Sequence, residues 1–230
     1  MKGAVTLSHD YKEEYARMFR IALKSTQKGR YDDCTIPSYA HRNRLISWLF
    51  WKRIEAALSL AGDLRGKAVL DFGCGGGVTF RYLHEQGCTI TGCEDQFPDL
   101  AGKTAGQLGI DATITSDLFA LQGRQFDVIF ALDVLEHIDD LDAVLEKFRE
   151  LSHKHTRIVI SGPTENFLYR MGRRIIGYRE QGRFHERTIY DVERNMKEKR
   201  FHLQAMKTIF PGFTLFRVSS WTAYIQVTGE

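Results

Sequence analysis

The sequence lacks any long apolar run, and this limits where the protein can reside. No stretch of about eighteen uncharged apolar residues occurs, so the sequence predicts no membrane-spanning helix. The first residues carry acids where a signal peptide would have an apolar core. We therefore expect a cytoplasmic protein.

Cysteine and proline are both scarce, with four residues of each. The cysteines are Cys34, Cys74, Cys88 and Cys93. They form neither a C-x-x-C pair nor a spacing that suits zinc, which favours reduced thiols over disulfides or a structural metal. No cluster of carboxylates with metal-ligand spacing is present either, so we expect no metal site.

The charge is nearly balanced overall but uneven along the chain. The sequence has 32 Lys and Arg residues against 29 Asp and Glu residues, a net charge of +3. Residues 1–62 have 11 basic against 6 acidic residues, whereas residues 63–162 have 9 against 16. If the basic segments cover the site, they favour an anionic substrate or surface; ordinary solvated faces explain the pattern equally well.

Four glycines lie within five residues, directly after a short apolar run. Ala68 to Leu70 suit a strand that is buried on both faces, and Asp71 is expected to end it. The glycines allow a tight turn and a close approach to a ligand. They are Gly73, Gly75, Gly76 and Gly77. With the helical pattern that follows from Val78, the sequence predicts free backbone N–H groups at the carboxyl edge of a parallel sheet.

The spacing around this turn separates two classes of ligand. The dinucleotide pattern G-x-G-x-x-G fails because its sixth position, counted from Gly73, is Val78. A second β-rich run ends at Glu94, about twenty residues beyond the turn, where a carboxylate can accept hydrogen bonds from both ribose hydroxyls. The pattern therefore favours a nucleoside-containing ligand that is not a dinucleotide.

Several motifs resemble one family. The D-F-G-C-G-G-G segment from Asp71 resembles motif I of the class I S-adenosylmethionine (SAM) methyltransferases, and T-G-C-E ending at Glu94 resembles their T-G-x-acid pattern. The D-V-L-E-H segment from Asp133 is similar to that of the ubiquinone-biosynthesis-like, type 11 group. The resemblance is close over residues 67–162. It implies an α/β, Rossmann-like class I methyltransferase fold, with a seven-stranded, mostly parallel sheet in the order 3-2-1-4-5-7-6 flanked by helices.

The resemblance also implies which residues bind the cofactor, SAM. Asp117 takes the adenine amino group and the N–H of Leu118 a ring nitrogen, although a helix cap is the alternative for Asp117. Gln96 departs from the apolar residue that packs on adenine in the family, and Phe97 is its substitute. The expected cofactor-binding residues are Asp71, Gly73, Cys74 through its backbone, Gly75, Gly77, Glu94, Asp95, Gln96, Asp117, Leu118, Leu132, Asp133 and His137.

The reaction that the resemblance implies is methyl transfer to a small-molecule or lipid-linked acceptor at O, N or C. In-line displacement needs alignment and exclusion of water more than acid–base chemistry. The prolines are never adjacent, so the Asn/Asp-Pro-Pro-aromatic motif that holds an exocyclic amine is absent, and nucleic-acid bases are disfavoured. The alternatives are a protein or RNA methyltransferase, a non-catalytic SAM-binding module and an NAD-dependent oxidoreductase.

Two histidines are the candidates for a general base, if the acceptor arrives protonated. His137 follows the fourth strand, and its ordinary pKa lies near neutrality; a capping or buried histidine is the alternative. His185 is the second candidate, because relatives bring a histidine over the acceptor at that point. Tyr39 and His41 are further candidates for closing the site.

Residues 1–62 are expected to form a helical lid or extension, followed by a SAM-binding domain over residues 63–230. An amphipathic helix is predicted from Asn43 to Leu60, with Arg53 and Glu55 off its apolar stripe. Trp48 and Trp51 widen that stripe. Core packing is the favoured explanation, with contact to a lid, a substrate or a second subunit as alternatives. The sequence leaves both a monomer and a homodimer open.

An insertion is predicted at residues 164–187, which are too long for a simple connection. Aromatic and apolar residues alternate there with six arginines. Such a pattern suits, in decreasing order, a lid over the substrate, a peripheral membrane contact and a nucleic-acid contact. An ordinary helix packed on the sheet is the alternative.

Overall fold

The computed structural model describes residues 4–24, 39, 43–164, 187–210 and 214–225. Four sequence-based expectations concern residues outside these ranges. They are the thiol of Cys34, the roles of His41 and His185, and nearly all of the insertion at 164–187.

The described strands form one seven-stranded sheet in the order β3-β2-β1-β4-β5-β7-β6, which confirms the predicted topology. Strands β1 to β5 pair in parallel, whereas β7 is antiparallel to both β5 and β6. The carboxyl ends of β1, β2, β3 and β4 therefore meet at one edge. The strands are β1 (Ala68–Phe72), β2 (Thr89–Cys93), β3 (Ala112–Thr115), β4 (Phe126–Leu132), β5 (Ser152–Pro163), β6 (Phe201–Ile209) and β7 (Phe216–Ala223).

Helices flank the sheet on both faces. Local sequence explains two helix starts. The side chain of Asn43 caps the helix that begins at Arg44, and Thr188 and Asp191 form a capping box at the helix that begins at Ile189. The described helices are α1 (His9–Lys24), α2 (Arg44–Ala61), α3 (Phe80–Glu85), α4 (Pro98–Gln107), α5 (Leu141–Glu150) and α6 (Ile189–Glu198).

Each face of the sheet has its own hydrophobic core. On one face, buried side chains of α1 to α4 pack against strand residues such as Val69 and Phe130. On the other face, α5 and α6 pack against residues such as Ile129 and Trp221. Residues before and after position 62 share the first core, and the division into two domains at that point stays a prediction.

The predicted helix from Asn43 to Leu60 is confirmed as α2, but the expectation that Arg53 and Glu55 lie off its buried face is wrong. These residues are only 2% and 3% exposed, because partners from distant segments cover them. Glu55 accepts hydrogen bonds from Leu7 N at 3.1 Å and from Lys12 Nζ at 2.7 Å, so it attaches α1 to α2. Arg53 instead points toward the end of β4. Apolar periodicity cannot anticipate a buried charge whose partner lies elsewhere in the chain.

The two tryptophans of α2 have different environments. Trp51 is buried, and its indole N–H donates to the backbone oxygen of Tyr39 at 3.2 Å. Trp48 is 44% exposed at the start of the helix, so core packing holds for Trp51 alone. Within the described ranges, no helix is long and apolar enough to cross a membrane.

Candidate functional site

The glycine turn lies at the carboxyl edge of β1 and is tightly packed. Asp71 does not end the strand, since it still pairs with Gly92 of β2, and the turn begins after Phe72. Gly73 and Gly77 have φ values of 71° and 69°, which L-residues rarely adopt. A Cβ at either position would approach Val134 or Phe80 within 2.6 Å. Glycine is therefore required at both places.

Glu94 joins the end of β2 to the glycine turn, and its expected contact with a ribose stays a prediction. One carboxylate oxygen accepts from Gly75 N at 2.8 Å, and the other accepts from the backbone N–H groups of Gln96 and Phe97 at 3.1 and 3.3 Å. Burial raises the pKa of Glu94, and these backbone donors oppose the rise. The adjacent Asp95 and Gln96 are exposed.

Asp71 lies inside the core of the site, 2% exposed. Its carboxylate accepts a hydrogen bond from Thr79 Oγ1 at 2.5 Å, which links β1 to the far end of the glycine turn. Burial raises the pKa of Asp71 to about 7, opposed by the Thr79 hydrogen bond and reinforced by the charge of Glu94. Asp71 therefore holds the far end of the glycine turn against β1 through Thr79.

The third strand tip carries Asp117 and Leu118. Asp117 is exposed, and its carboxylate accepts from Phe119 N at 2.8 Å, two residues farther along the chain, in a local turn before the 3₁₀ helix. Leu118 is buried in the core. The N-cap residue of this 3₁₀ helix is Leu118, without a side-chain capping bond, so the structure does not show Asp117 as a cap, and its adenine contact stays a prediction.

Asp133 follows β4 directly, after the half-buried Leu132. Its φ of 55° lies in the left-handed region, an unusual conformation for a residue other than glycine. One carboxylate oxygen accepts from Ser161 Oγ at 2.8 Å, and the other forms an ion pair with Arg53 Nη1. The next residue, Val134, lies against Gly73, so Asp133 is at the edge of the sheet that carries the glycine turn.

Arg53 is the site residue that the sequence interpretation missed. Its second terminal nitrogen donates to the hydroxyl of Tyr39 at 2.5 Å, and its guanidinium lies 4.8 Å from the ring centre of Phe50 and 5.2 Å from that of Phe216. One sequence signal could have found it: an arginine placed three residues after Phe50 and directly before Ile54, on the same side of the helix as these apolar residues. Tyr39, a candidate for closing the site, thus contacts Arg53, and its closing role stays a prediction.

The N-terminal helix covers the glycine turn from the side of α3. The Tyr15 hydroxyl donates to Gly76 O at 3.4 Å, and the Tyr11 hydroxyl donates to Val78 O at 3.1 Å. A Cβ on Gly76 would approach the Tyr15 hydroxyl within 2.9 Å. Helix α1 therefore contacts the backbone of the turn itself.

Of the candidate bases, only His137 lies within the described residues. It ends a 3₁₀ turn of three residues after β4, at the same edge as the glycine turn, and its side chain is exposed. No group of three or more potential metal ligands among His, Cys, Asp and Glu occurs in the described ranges.

The sheet order and the glycine turn after β1 define the class I methyltransferase fold. A family model described as a methyltransferase domain matches residues 39–210, three quarters of the sequence. The chain therefore belongs to this methyltransferase domain family, as the motifs predicted.

Solved structures with the same fold cover most of the chain. A protein from Pyrococcus horikoshii OT3 aligns with a TM-score of 0.63 and 16% identity, over 82% of this chain and 96% of that one. Magnesium protoporphyrin IX methyltransferase from Synechocystis PCC 6803, with bound SAH (S-adenosylhomocysteine), aligns with a TM-score of 0.57 and 18% identity, over 94% and 97%. At these identities the likeness concerns the fold.

Curated relatives match a shorter region. The ubiquinone biosynthesis O-methyltransferase of Pseudomonas entomophila is 39% identical over 89 residues, which cover 36% of this chain and 38% of the relative. That of Escherichia coli O157:H7 is 32% identical over 105 residues, covering 43% and 44%. The match thus spans about two fifths of the length of these relatives.

Proposed function

We propose that this protein transfers a methyl group from SAM to a small-molecule acceptor. The observation that carries the proposal is the contact of Glu94 with the glycine turn, 2.8 Å from Gly75 N. A ribose held by the carboxylate would then lie beside the backbone donors of the turn, as a nucleoside cofactor requires.

The residues at this edge fit SAM. Because side chains at Gly73 and Gly77 have no room, the turn presents backbone alone to a ligand. On the other side of the turn, the buried charges of Arg53 and Asp133 match the carboxylate and ammonium groups of a methionine. SAM bound there would supply a sulfonium methyl group that is open to nucleophilic attack. The residues around it align the acceptor and exclude water.

An oxygen nucleophile on a small acceptor is the favoured substrate chemistry. The matched relatives from Pseudomonas entomophila and Escherichia coli are named as O-methyltransferases of ubiquinone biosynthesis, which supports this choice. His137 is the proposed base for a hydroxyl that must lose its proton, because it lies exposed at the edge where the acceptor would enter. His185 keeps its place as the second candidate.

A lipid-linked acceptor and a peripheral membrane contact are supported by an apolar surface at the same edge of the sheet. Leu45, Trp48 and Phe210 are 56%, 44% and 41% exposed, and the rings of Trp48 and Phe210 lie 6.4 Å apart. Large apolar side chains at a protein surface favour contact with apolar partners. Trp48→Ser should then reduce sedimentation with anionic liposomes, and equal sedimentation of both proteins would remove the membrane contact from the proposal.

Calorimetric titration tests the cofactor first. SAH should bind and NAD⁺ should not; the reverse result would make the protein an oxidoreductase. Radiolabelled SAM is then offered with three acceptor pools, namely catechol and quinol compounds, basic proteins, and RNA. Label in the first pool is the expected result, and label in either of the others would replace the proposed acceptor. SAH binding without transfer to any pool would favour a non-catalytic module.

A further inference from the structure

The candidate site contains a buried ion pair whose two members lie 80 positions apart in the chain. Arg53 lies on α2 and Asp133 follows β4, and their side chains are 3% and 8% exposed. Each is also held by a hydroxyl group: Tyr39 for the arginine, at 2.5 Å, and Ser161 for the aspartate, at 2.8 Å. The Nε atom of Arg53 has no hydrogen-bond partner in the described part of the chain.

This pair is not explained by stability. Three aromatic rings surround the guanidinium, those of Phe50, Phe216 and Tyr39, with ring centres 4.8 to 5.8 Å away. In such surroundings the loss of hydration of both ions can exceed their attraction, so a buried ion pair is weak evidence of a gain in stability. Asp133 adds the cost of a left-handed backbone, at φ 55°. Costs of this kind concentrate at functional sites.

The position of the pair points to its ligand. Val134, next to Asp133, lies so close to Gly73 that a Cβ there would approach it within 2.6 Å. The pair therefore lies at the start of the glycine turn. Glu94 contacts Gly75 farther along the same turn, so the two features can meet the two ends of one elongated ligand.

We infer that Arg53 and Asp133 neutralise each other in the free protein and exchange partners when the cofactor binds. The arginine then takes the carboxylate of the methionine end, and the aspartate takes its ammonium group. One buried ion pair becomes two, and no charge is left without a partner at either stage. Tyr39 and Ser161 keep their hydrogen bonds throughout and hold both side chains in place. This inference depends on the proposed function, because it assumes SAM as the cofactor.

Asp133→Asn is the variant that tests the exchange. Asparagine tolerates the left-handed conformation and can still accept from the Ser161 hydroxyl, so the backbone should be retained. Three ligands are titrated by calorimetry: SAH, its analogue without the amino group, and methylthioadenosine, which lacks the whole amino-acid end.

The expected pattern is a crossover between ligands. SAH should bind Asp133→Asn at least about tenfold more weakly, because its ammonium group loses a charged partner. The analogue without the amino group should bind the variant more tightly than the wild type, since no aspartate competes for Arg53. Methylthioadenosine should bind both proteins equally. If the analogue loses affinity in parallel with SAH, Asp133 has a structural role and the exchange is refuted.

Controls separate the exchange from folding and from the proposed function. Asp127→Asn removes another paired aspartate, bonded to Ala68 N at the opposite edge, and should leave all three affinities unchanged. If Asp133→Asn does not fold, the double variant Arg53→Met, Asp133→Asn leaves no single buried charge. It should bind SAH no better than methylthioadenosine, and retained preference for SAH refutes the exchange. Failure of the wild type to bind SAH and methylthioadenosine refutes the proposed function itself.

Discussion

The two sides of the candidate site are built by different means. On the side of β1 and β2, Glu94 and the glycine turn are joined through backbone N–H groups, all within residues 73–97. On the side of α2 and β4, Arg53 and Asp133 are joined through side-chain charges separated by 80 positions in the chain. The first side depends on local sequence, and the second depends on the complete fold.

The two sides should also respond differently to ligands. The three hydrogen bonds to Glu94 leave both of its carboxylate oxygens paired, which favours a preformed binding surface. Arg53 retains an Nε atom without a hydrogen bond among the described residues, and its charge is balanced by one side chain. We therefore expect the first side to contribute rigidity and the second side to adjust its pairing.

The largest effect on the free energy of unfolding is expected from a substitution of Gly73, on the preformed side of the site. Gly73→Ala introduces a Cβ within 2.6 Å of Val134 at a φ of 71°. The conformational and steric costs together should lower the free energy of unfolding by about 2–4 kcal/mol. Gly109→Ala is the matched control, because its φ is 66° but no atom lies within 4 Å. The free energy of unfolding of Gly109→Ala, measured by urea denaturation, should fall by about 1 kcal/mol. Equal losses would show that crowding at Gly73 is unimportant.

The second effect is a pH dependence of the free energy of unfolding, which comes from Asp71. Its pKa in the folded protein is about 7, raised by burial above the ordinary 3.8, so the folded state binds this proton more tightly than the unfolded state. The contribution of Asp71 to the free energy of unfolding is fully present below the ordinary pKa of 3.8 and is lost as the pH rises through 7. Between pH 5 and pH 8 the loss should be about 3 kcal/mol.

Asp71→Asn should remove this slope, because asparagine has no proton to release. Urea denaturation at several pH values measures the difference between the two proteins, in which the contributions of other titrating groups cancel. A wild-type protein whose stability relative to the variant is constant with pH would contradict the assignment. It would mean that Asp71 is ionised or protonated equally in the folded and unfolded states.

Glu94→Gln tests whether the side formed by β1 and β2 binds the ribose. The carboxylate is expected to bind the ribose, so the variant should bind SAH at least about tenfold more weakly. Methylthioadenosine retains the ribose, so its affinity should fall as much as that of SAH in Glu94→Gln. Its affinity should not change in Asp133→Asn, because it lacks the amino-acid end. Asp95→Asn tests the register, because Asp95 is adjacent but exposed. A larger loss for Asp95→Asn would move the ribose contact by one residue.

Sequence alone predicted most of the first side and little of the second. The sheet order followed from the family resemblance, and Glu94 was selected because the expected ribose contact depends on a fixed distance from the glycines along the chain. Arg53 was assigned to the wrong face of α2, since apolar periodicity treats a charged residue as solvent-exposed. Its partner Asp133 is 80 positions away, and no local pattern records that contact.

The smallest expected effect concerns α1, which precedes the region matched by the family model. The Tyr15 hydroxyl is buried and donates to Gly76 O at 3.4 Å, a long hydrogen bond. Tyr15→Phe should therefore cost no more than about 1 kcal/mol of unfolding free energy and weaken SAH binding less than about threefold. Tyr190→Phe removes an exposed hydroxyl as a control and should change neither. Loss of SAH binding in Tyr15→Phe would contradict the local origin of the preformed side, because that side would then depend on a helix outside residues 39–210.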